Sequence, residues 1–256
     1  MPWVGYRFTN GRETSYPFFP LLPFLLRLGR LAHLPESLTG VVVGHAGLLG
    51  ALVGVRRLAR RHVSEQAARR AMWAAAFFPG AVVFSEPYPE ALLLCVSVWA
   101  FVLVEDRRDV PAGLLGAAAT LLRPNGFLVA VALAVEARTA RRAAVVLGPS
   151  AGVLGVWTLV LSRWTHDPFV FVHAKRAWRE VTITNVVTGH HLDPQVLGHL
   201  LLAVAALLSV VRVRWQLPVS WLAFTVLWLT PSLGFGIVGM GRYASACFSS
   251  LSPSGR

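Results

Sequence analysis

Residues 71–108 read AMWAAAFFPGAVVFSEPYPEALLLCVSVWAFVLVEDRR, which is two apolar arms joined by a polar corner at residues 85–90. The arms carry no charged residue, and pairs of arginines bracket their outer ends at positions 69–70 and 107–108. Long uncharged segments flanked by arginine are typical of helices that cross a bilayer. The stretch therefore predicts a helical hairpin that crosses a membrane twice, with its polar corner at one membrane face.

The composition of the whole chain is that of a membrane protein. Of 256 residues, 55% are hydrophobic and 14% charged, whereas soluble domains are about 45–50% apolar and about 25% charged. The formal net charge of +12 would suggest nucleic-acid binding in a soluble protein. Here most arginines flank apolar segments, where positive charge sets membrane topology, so we expect no nucleic-acid partner.

Further apolar segments bring the predicted number of crossings to about eight. Besides the hairpin they lie at residues 38–58, 112–135, 143–161, 196–211 and 217–237. Six arginines at positions 56–70 predict a cytoplasmic loop, which places the polar corner on the exoplasmic side. We therefore expect an all-α, polytopic membrane protein, with residues 1–256 as one integral membrane domain.

The segment at residues 112–135 allows two interpretations. A single helix would bury Arg123 in the middle of the membrane. Two short helices broken at residues 123–126, Arg-Pro-Asn-Gly, would place Arg123 at the exoplasmic end. Interrupted helices are tolerated where they line a cavity, and we favour the broken pair.

Two segments are predicted to lie outside the membrane core on the exoplasmic side. In residues 1–37, three prolines within YPFFPLLPFLLRL disrupt a regular helix start, so this piece is expected at the interface or as a re-entrant segment. Residues 162–195 form the longest polar stretch. Within it, residues 169–179 predict an amphipathic surface helix with aromatic residues at the interface.

The polar corner supplies two candidate catalytic carboxylates, Glu86 and Glu90. A carboxylate at a sheltered membrane face can act as a general base or hold an alcohol acceptor. Ionisable groups held against a membrane are costly and often functional. Glu90 also has a structural interpretation, because an acidic residue at the start of a helix is favoured by the helix dipole.

Cationic side chains supply candidate phosphate sites. Arg123, together with Asn125, can hold a phosphate at a helix break, or it can anchor the helix by snorkelling to lipid headgroups. Lys175, Arg176 and Arg179 can meet an anionic lipid head. The alternative for these three is a solvated helix face.

No pattern predicts a metal or a bound cofactor. His45, inside an apolar segment, is expected to be a packed and hydrogen-bonded histidine, and the two cysteines, Cys95 and Cys247, lie far apart in apolar surroundings. The sequence has no P-loop, no dinucleotide-binding glycine pattern and no nucleophile elbow. We therefore expect no cofactor, and a transferase in this chain would take its donor from the membrane.

Five local patterns follow one another in the order known from one family. They are GY at 5–6 with PFFPLLP at 17–23, FFP at 77–79 with FSEPYPE at 84–90, LRPNG at 122–126, DPF at 167–169 with HAK at 173–175 and Trp178, and GRY at 241–243. Together they resemble the PIG-V-type mannosyltransferases, the family of GPI mannosyltransferase 2 and its bacterial relatives. These are multi-span glycosyltransferases of the C type.

The resemblance implies that a sugar, mannose in the family, moves from a polyprenyl-phosphate donor to a lipid or glycan acceptor. The reaction would take place at the exoplasmic face of the bacterial plasma membrane. Our own candidates for the catalytic carboxylate in this sequence are Glu86 and Glu90. The substrate-binding residues implied are Tyr88, Arg123, Asn125, Asp167, His173, Lys175, Trp178, Arg242 and Tyr243.

The family carries a catalytic aspartate in a Trp-Asp stretch before its GY pattern. Here Trp3 precedes Val4, and no aspartate occurs before Asp106. The family also has further spans after its RY pattern, whereas this sequence stops soon after Tyr243. We therefore expect a chain truncated at both ends. The alternatives to a transferase are a transporter or flippase-like protein, with the break at Arg123 as its substrate site, and a membrane protein without catalytic activity.

Overall fold

The computed structural model describes residues 19–77, 81, 83–84, 86–174 and 218–235, with scattered positions between 197 and 212. This described part contains helices and no strand, so the all-α prediction is confirmed for it. The helices are α1 Leu21–Leu31, α2 Glu36–Ala59, α3 Glu65–Phe77, α4 Glu90–Glu105, α5 Asp109–Leu122, α6 Phe127–Ala137, α7 Ala140–Thr165, α8 Val170–His173 and α9 Val219–Phe235.

Two of these helices, α2 and α7, are long and apolar enough to cross a membrane, with 24 and 26 residues. They match the segments predicted at residues 38–58 and 143–161. The other described helices have 17 residues or fewer, below the roughly 20 that a perpendicular crossing requires. The eight crossings therefore stay a prediction, and the segment at 196–211 falls mostly outside the described residues.

The first arm of the central hairpin differs from its predicted bounds. Helix α3 begins at Glu65, so the arginines at 69–70 lie inside the helix and not before it. Ser64 explains the early start, because its Oγ accepts a hydrogen bond from the Ala67 N–H (3.3 Å) and hydroxyl side chains favour helix N-termini. The described part of this helix reaches Phe77.

The core lies along α4, which packs against α2 on one side and α5 on the other. Glycines on α2 permit the close approach, as small residues do between packed helices. A Cβ on Gly47 would lie 3.0 Å from the backbone nitrogen of Leu92, and a Cβ on Gly54 would lie 2.9 Å from Val98 Cγ1. At Gly40 and in the next turn of the helix, α2 likewise packs closely against the polar corner that precedes α4.

The broken pair predicted for residues 112–135 is confirmed. Helix α5 ends at Leu122, Arg123 is extended (φ −153°, ψ 148°), and one 3₁₀ turn, Pro124–Gly126, leads into α6. Proline after Arg123 disfavours helical backbone at the arginine. The local sequence therefore places an extended arginine between two short helices, both of which pack against α7.

The guanidinium group of Arg142 connects the ends of four helices, on the side of the helix bundle opposite the break at residues 123–126. Arg142, in the first turn of α7, binds the Asp109 carboxylate at the start of α5 through Nε (2.7 Å) and Nη2 (2.6 Å). It also donates to the carbonyls of Val104 (2.9 Å) and Ala137 (3.1 Å), near the ends of α4 and α6. The planar fork of arginine suits this arrangement, and a lysine amine does not reproduce it.

We expect Arg142→Lys to lower the free energy of unfolding by about 2–3 kcal/mol, the scale of lost hydrogen bonds to charged groups. Thermal unfolding in detergent measures the effect. The matched control is Arg141→Lys, at an exposed neighbouring position, which should leave the unfolding temperature unchanged. Equal unfolding temperatures for the two variants would contradict this role of Arg142.

The arginine-rich loop after α2 is tied to the end of α4. Arg61 pairs with Glu105 (3.1 Å) and with Asp106 (2.8 Å), while His62 Nε2 lies 3.0 Å from Glu105. The ring of His62 also packs edge-on against Trp221 of α9, with centroids 4.9 Å apart. Arg61, predicted only as a topology signal, therefore also ties the loop after α2 to the end of α4, and His62 adds the contact with α9.

Candidate functional site

Two predicted site residues from different helices meet in an ion pair. Glu90 is the first residue of α4, and Arg123 is the extended residue of the α5–α6 break. Arg123 Nη1 lies 2.6 Å from Glu90 Oε1. The Glu90 side chain is 6% exposed and that of Arg123 is 22% exposed, so the pair is largely withdrawn from solvent.

The second carboxylate oxygen of Glu90, Oε2, is buried and has no hydrogen-bond partner among the described residues. A buried carboxylate is costly unless its charge and lone pairs are compensated. Arg123 supplies the charge, and the N-terminus of α4 adds a favourable dipole. Oε2 therefore keeps an unused acceptor position that is closed to solvent.

The two predicted catalytic carboxylates have different environments. Glu86 and Tyr88 are exposed in the turn before α4, which is closed by a hydrogen bond from the Tyr88 N–H to the Glu86 carbonyl (2.7 Å). Glu86 can therefore meet an acceptor from outside, whereas Glu90 is engaged with Arg123. Asn125 lies half-buried in the 3₁₀ turn, on the same break as Arg123.

Two further predicted residues form a second pair, at the end of α7. The Asp167 carboxylate accepts a hydrogen bond from the Phe169 N–H through Oδ1 (2.9 Å), and its Oδ2 lies 2.7 Å from His173 Nδ1. The Asp167 side chain is 33% exposed and that of His173 is 52% exposed. Asp167 therefore orients an imidazole that remains accessible to a ligand.

Burial raises the pKa of the Asp167 carboxyl, but the hydrogen bonds from His173 and the Phe169 N–H outweigh burial and hold this pKa below its usual value of 3.8. A carboxyl with a lowered pKa stabilises the fold above its unfolded-state pKa. This contribution is lost as the pH falls through the lowered, folded-state pKa.

We therefore expect wild type to exceed Asp167→Asn in unfolding free energy by a constant amount above about pH 5, since the carboxyl is then ionised in both states. The difference should shrink as the pH falls below 3.8. Chemical unfolding in detergent between pH 2.5 and 6 measures both curves. A difference that grows on acidification would contradict the assignment.

An aromatic cluster holds the region around Asp167 against α7. Phe19, which is 1% exposed, packs edge-on against Phe171 with centroids 5.5 Å apart and against Trp157 at 6.1 Å. Phe19 belongs to the PFFPLLP pattern and Phe171 follows the DPF pattern. Two patterns that are far apart in the sequence therefore share one hydrophobic cluster.

A shallow groove of about 490 Å³ runs along α7, and the four residues of the two pairs are not among its lining residues. One end is lined by Phe127, which follows the break at Arg123, and the other by Pro168, which follows Asp167. The remaining lining residues are Ala151, Leu154, Gly155, Thr158, Leu159 and Ser162. The groove is therefore mostly apolar, with two hydroxyl groups one helical turn apart.

The sequence did not indicate this groove, because its wall comes from a helix interpreted only as a membrane span. The signal available was the spacing of Thr158 and Ser162, four residues apart in an apolar helix. His45 is hydrogen-bonded as expected, with Nδ1 2.8 Å from the Val41 carbonyl, but its side chain is exposed on α2 and not packed.

Four predicted substrate-binding residues, Lys175, Trp178, Arg242 and Tyr243, lie outside the described residues. The same holds for most of the surface helix predicted at 169–179, of which α8 is the described beginning. Within the part of the chain that is described, no three histidine, cysteine, aspartate or glutamate side chains converge on a common metal position.

Comparisons with known proteins found no match for this chain. No family model matches it, and neither a curated protein nor a solved structure is significantly similar to it. The site is therefore interpreted from its own geometry. The family resemblance stays a prediction carried by the five local patterns.

Proposed function

We propose that this chain is a membrane glycosyltransferase, which transfers a sugar from a polyprenyl-phosphate donor to an acceptor at the non-cytoplasmic face. The observation that carries the proposal is the Glu90–Arg123 pair. The sequence singled out both residues separately, for a carboxylate role and a phosphate role. Their contact at a helix break puts these two chemistries in one place, beside an apolar groove.

In this reaction the acceptor oxygen bonds to the anomeric carbon of the sugar. The bond between that carbon and the donor phosphate breaks, and its electron pair leaves on the phosphate. Arg123 stabilises this developing charge, as cationic clamps do for leaving phosphates. Glu90 positions Arg123, while exposed Glu86 positions or deprotonates the acceptor hydroxyl.

The other predicted residues complete the proposed site. Tyr88 lines the sugar or polyprenyl path at the corner, and Asn125 supports the donor phosphate beside Arg123. Lys175, with Arg176 and Arg179, is assigned to the lipid-phosphate leaving group by its charge, and Trp178 to the sugar or polyprenyl path. Arg242 and Tyr243 are assigned to substrate binding by the family resemblance alone. The proposed location is the plasma membrane, by analogy with the bacterial relatives.

The test is a transfer assay on membranes that contain the full chain, with radiolabelled polyprenyl-phosphate mannose as the donor. We expect lipid-extractable or glycan-bound label with wild type, and a loss of about 100-fold with Arg123→Ala, the scale of removing one charge-stabilising donor group. Arg141→Ala is the control at an exposed position. Transfer that persists in both Arg123→Ala and Glu90→Gln would overturn the assigned roles.

A transporter or flippase is the second candidate, and the interrupted α5–α6 pair favours it. Unwound backbone between half-helices is a common substrate site in transporters. Proteoliposomes separate the two functions. Uptake or flipping of the mannose lipid without covalent transfer of mannose would support the transporter, whereas label on a new product would support the transferase.

A further inference from the structure

Two arginines occupy left-handed backbone positions in the turns at the Arg142 side of the helix bundle. Arg107 (φ 61°) lies in the turn between α4 and α5, and Arg138 (φ 59°) lies in the turn between α6 and α7. This backbone conformation is unfavourable for a residue with a Cβ, and glycine is the usual residue where a helix ends in it. Both turns therefore carry a positive charge at a position where folding alone favours glycine.

Arg142 holds these two turns together. Its guanidinium donates to the Val104 carbonyl, which also accepts a hydrogen bond from the Arg107 N–H (3.1 Å). The same guanidinium donates to the Ala137 carbonyl, directly before Arg138. The two turns therefore lie on either side of one guanidinium. Together with exposed Arg108, Arg107 and Arg138 form what we call the basic end.

The carboxylates beside the basic end are already bound by other groups. Asp106 pairs with Arg61, Asp109 pairs with Arg142, and Glu136 accepts a hydrogen bond from Ser220. Among the described residues, no carboxylate lies within 4 Å of Arg107 or Arg108. Arg138 lies 3.8 Å from Glu136, and its side chain is 77% exposed. The basic end therefore keeps positive charge that an anion can meet.

Exposed apolar side chains lie beside these turns on the same helices. They are Val110 and Leu114 on α5 and Val135 on α6. Val110 and Leu114 are one helical turn apart and share a face of α5, and Val135 lies three residues before Arg138. Helix α7, which begins at this end, is long enough to cross a membrane. Positive charge next to apolar helix surface matches a lipid, whose headgroup and acyl chains need both.

We propose that the basic end binds the phosphate of an anionic phospholipid, whose acyl chains lie against the exposed apolar side chains of α5 and α6. Guanidinium groups suit this ligand, because they bind phosphate through two parallel hydrogen bonds. The basic end lies at the ends of α5 and α6 that are remote from Arg123. The inference therefore adds a lipid partner and does not depend on the proposed transfer reaction.

Thermal unfolding of the full chain in detergent tests the ligand. Dioleoyl phosphatidylglycerol should raise the unfolding temperature by about 5 °C or more at saturation, since a ligand of the native state stabilises it. Equal amounts of dioleoyl phosphatidylcholine or of inorganic phosphate should have little effect. No response to phosphatidylglycerol would overturn the site. An equal response to phosphatidylcholine or to inorganic phosphate would overturn the anionic phospholipid as its ligand.

Paired charge removals locate the site. In the same titration, Arg107→Gln with Arg138→Gln should weaken the apparent affinity for phosphatidylglycerol about 25-fold, or about fivefold for each arginine. The matched control is Arg30→Gln with Arg163→Gln, which removes two exposed arginines at the other end of the bundle. The control should bind as wild type does. Equal losses in the two pairs would reflect net charge alone and overturn the site.

Glycine variants separate lipid binding from folding. Arg107→Gly with Arg138→Gly removes both charges and relieves the left-handed backbone. Without lipid, this variant should unfold at the same temperature as wild type or higher, and its response to phosphatidylglycerol should be lost. A variant that unfolds at a lower temperature without lipid and keeps the full response would assign both arginines to the helix ends and overturn the proposal.

Discussion

Replacing Arg123 by alanine is expected to lower the free energy of unfolding by about 3–5 kcal/mol, the cost of removing one partner from a buried ion pair. The reason is the burial of Glu90, whose side chain is 6% exposed and whose Oε2 already lacks a partner among the described residues. Without Arg123 the buried carboxylate loses its compensating charge. Denaturant unfolding in detergent measures the loss.

The double variant Glu90→Gln with Arg123→Met separates this charge effect from lost packing. It replaces the pair with neutral side chains of similar length, a change that is often neutral for stability. We expect it to recover most of the stability lost in Arg123→Ala. A double variant as unstable as the single one would show that Arg123 acts through packing and not through Glu90.

Replacing Gly126 by alanine is expected to lower the free energy of unfolding by about 3 kcal/mol or more, at the upper end for overpacking. The added Cβ would overlap the Ala119 carbonyl group and lie 2.8 Å from the Thr120 backbone nitrogen. Both neighbours are backbone of α5, which cannot rotate away. The substitution therefore forces α5 and α6 apart and displaces Arg123 from Glu90.

Gly152→Ala is the matched control, because a Cβ at Gly152 meets no heavy atom within 4 Å. Alanine in a helix interior is more stable than glycine by about 0.5–1 kcal/mol, so this variant should be slightly stabilised. Opposite shifts in the unfolding temperature of the two variants are the expected result. A tolerated Gly126→Ala would contradict the close packing of α5 against the break.

The elements that sequence reasoning predicted best are those fixed by local chemistry. The break at residues 123–126 follows from a proline and a glycine after an arginine, and α2 and α7 follow from long apolar runs. The predicted start of α3, after the arginines at 69–70, is wrong, because the helix begins at Glu65. The cap at Ser64 and the alanines after it were stronger local signals.

The contact between Glu90 and Arg123 was beyond sequence reasoning, although both residues were singled out. They are 33 positions apart, and their meeting depends on how α4 packs against α5, which periodicity does not determine. The same holds for the groove, whose wall combines α7 with Phe127 and Pro168. Asp167 and His173 were named only through the family resemblance, and their hydrogen bond depends on the tight turn after α7.

In the proposed membrane placement, the order of Glu90 and Arg123 along the chain has a consequence for biogenesis. An arginine between two apolar segments disfavours their insertion into a membrane, and α5 and α6, with 14 and 11 residues, are each shorter than the roughly 20 residues of an independent span. Glu90 leaves the ribosome before Arg123, so the counterion is already present when the arginine arrives. The nascent chain can then release α4, α5 and α6 into the lipid together, with the charges of Glu90 and Arg123 already paired.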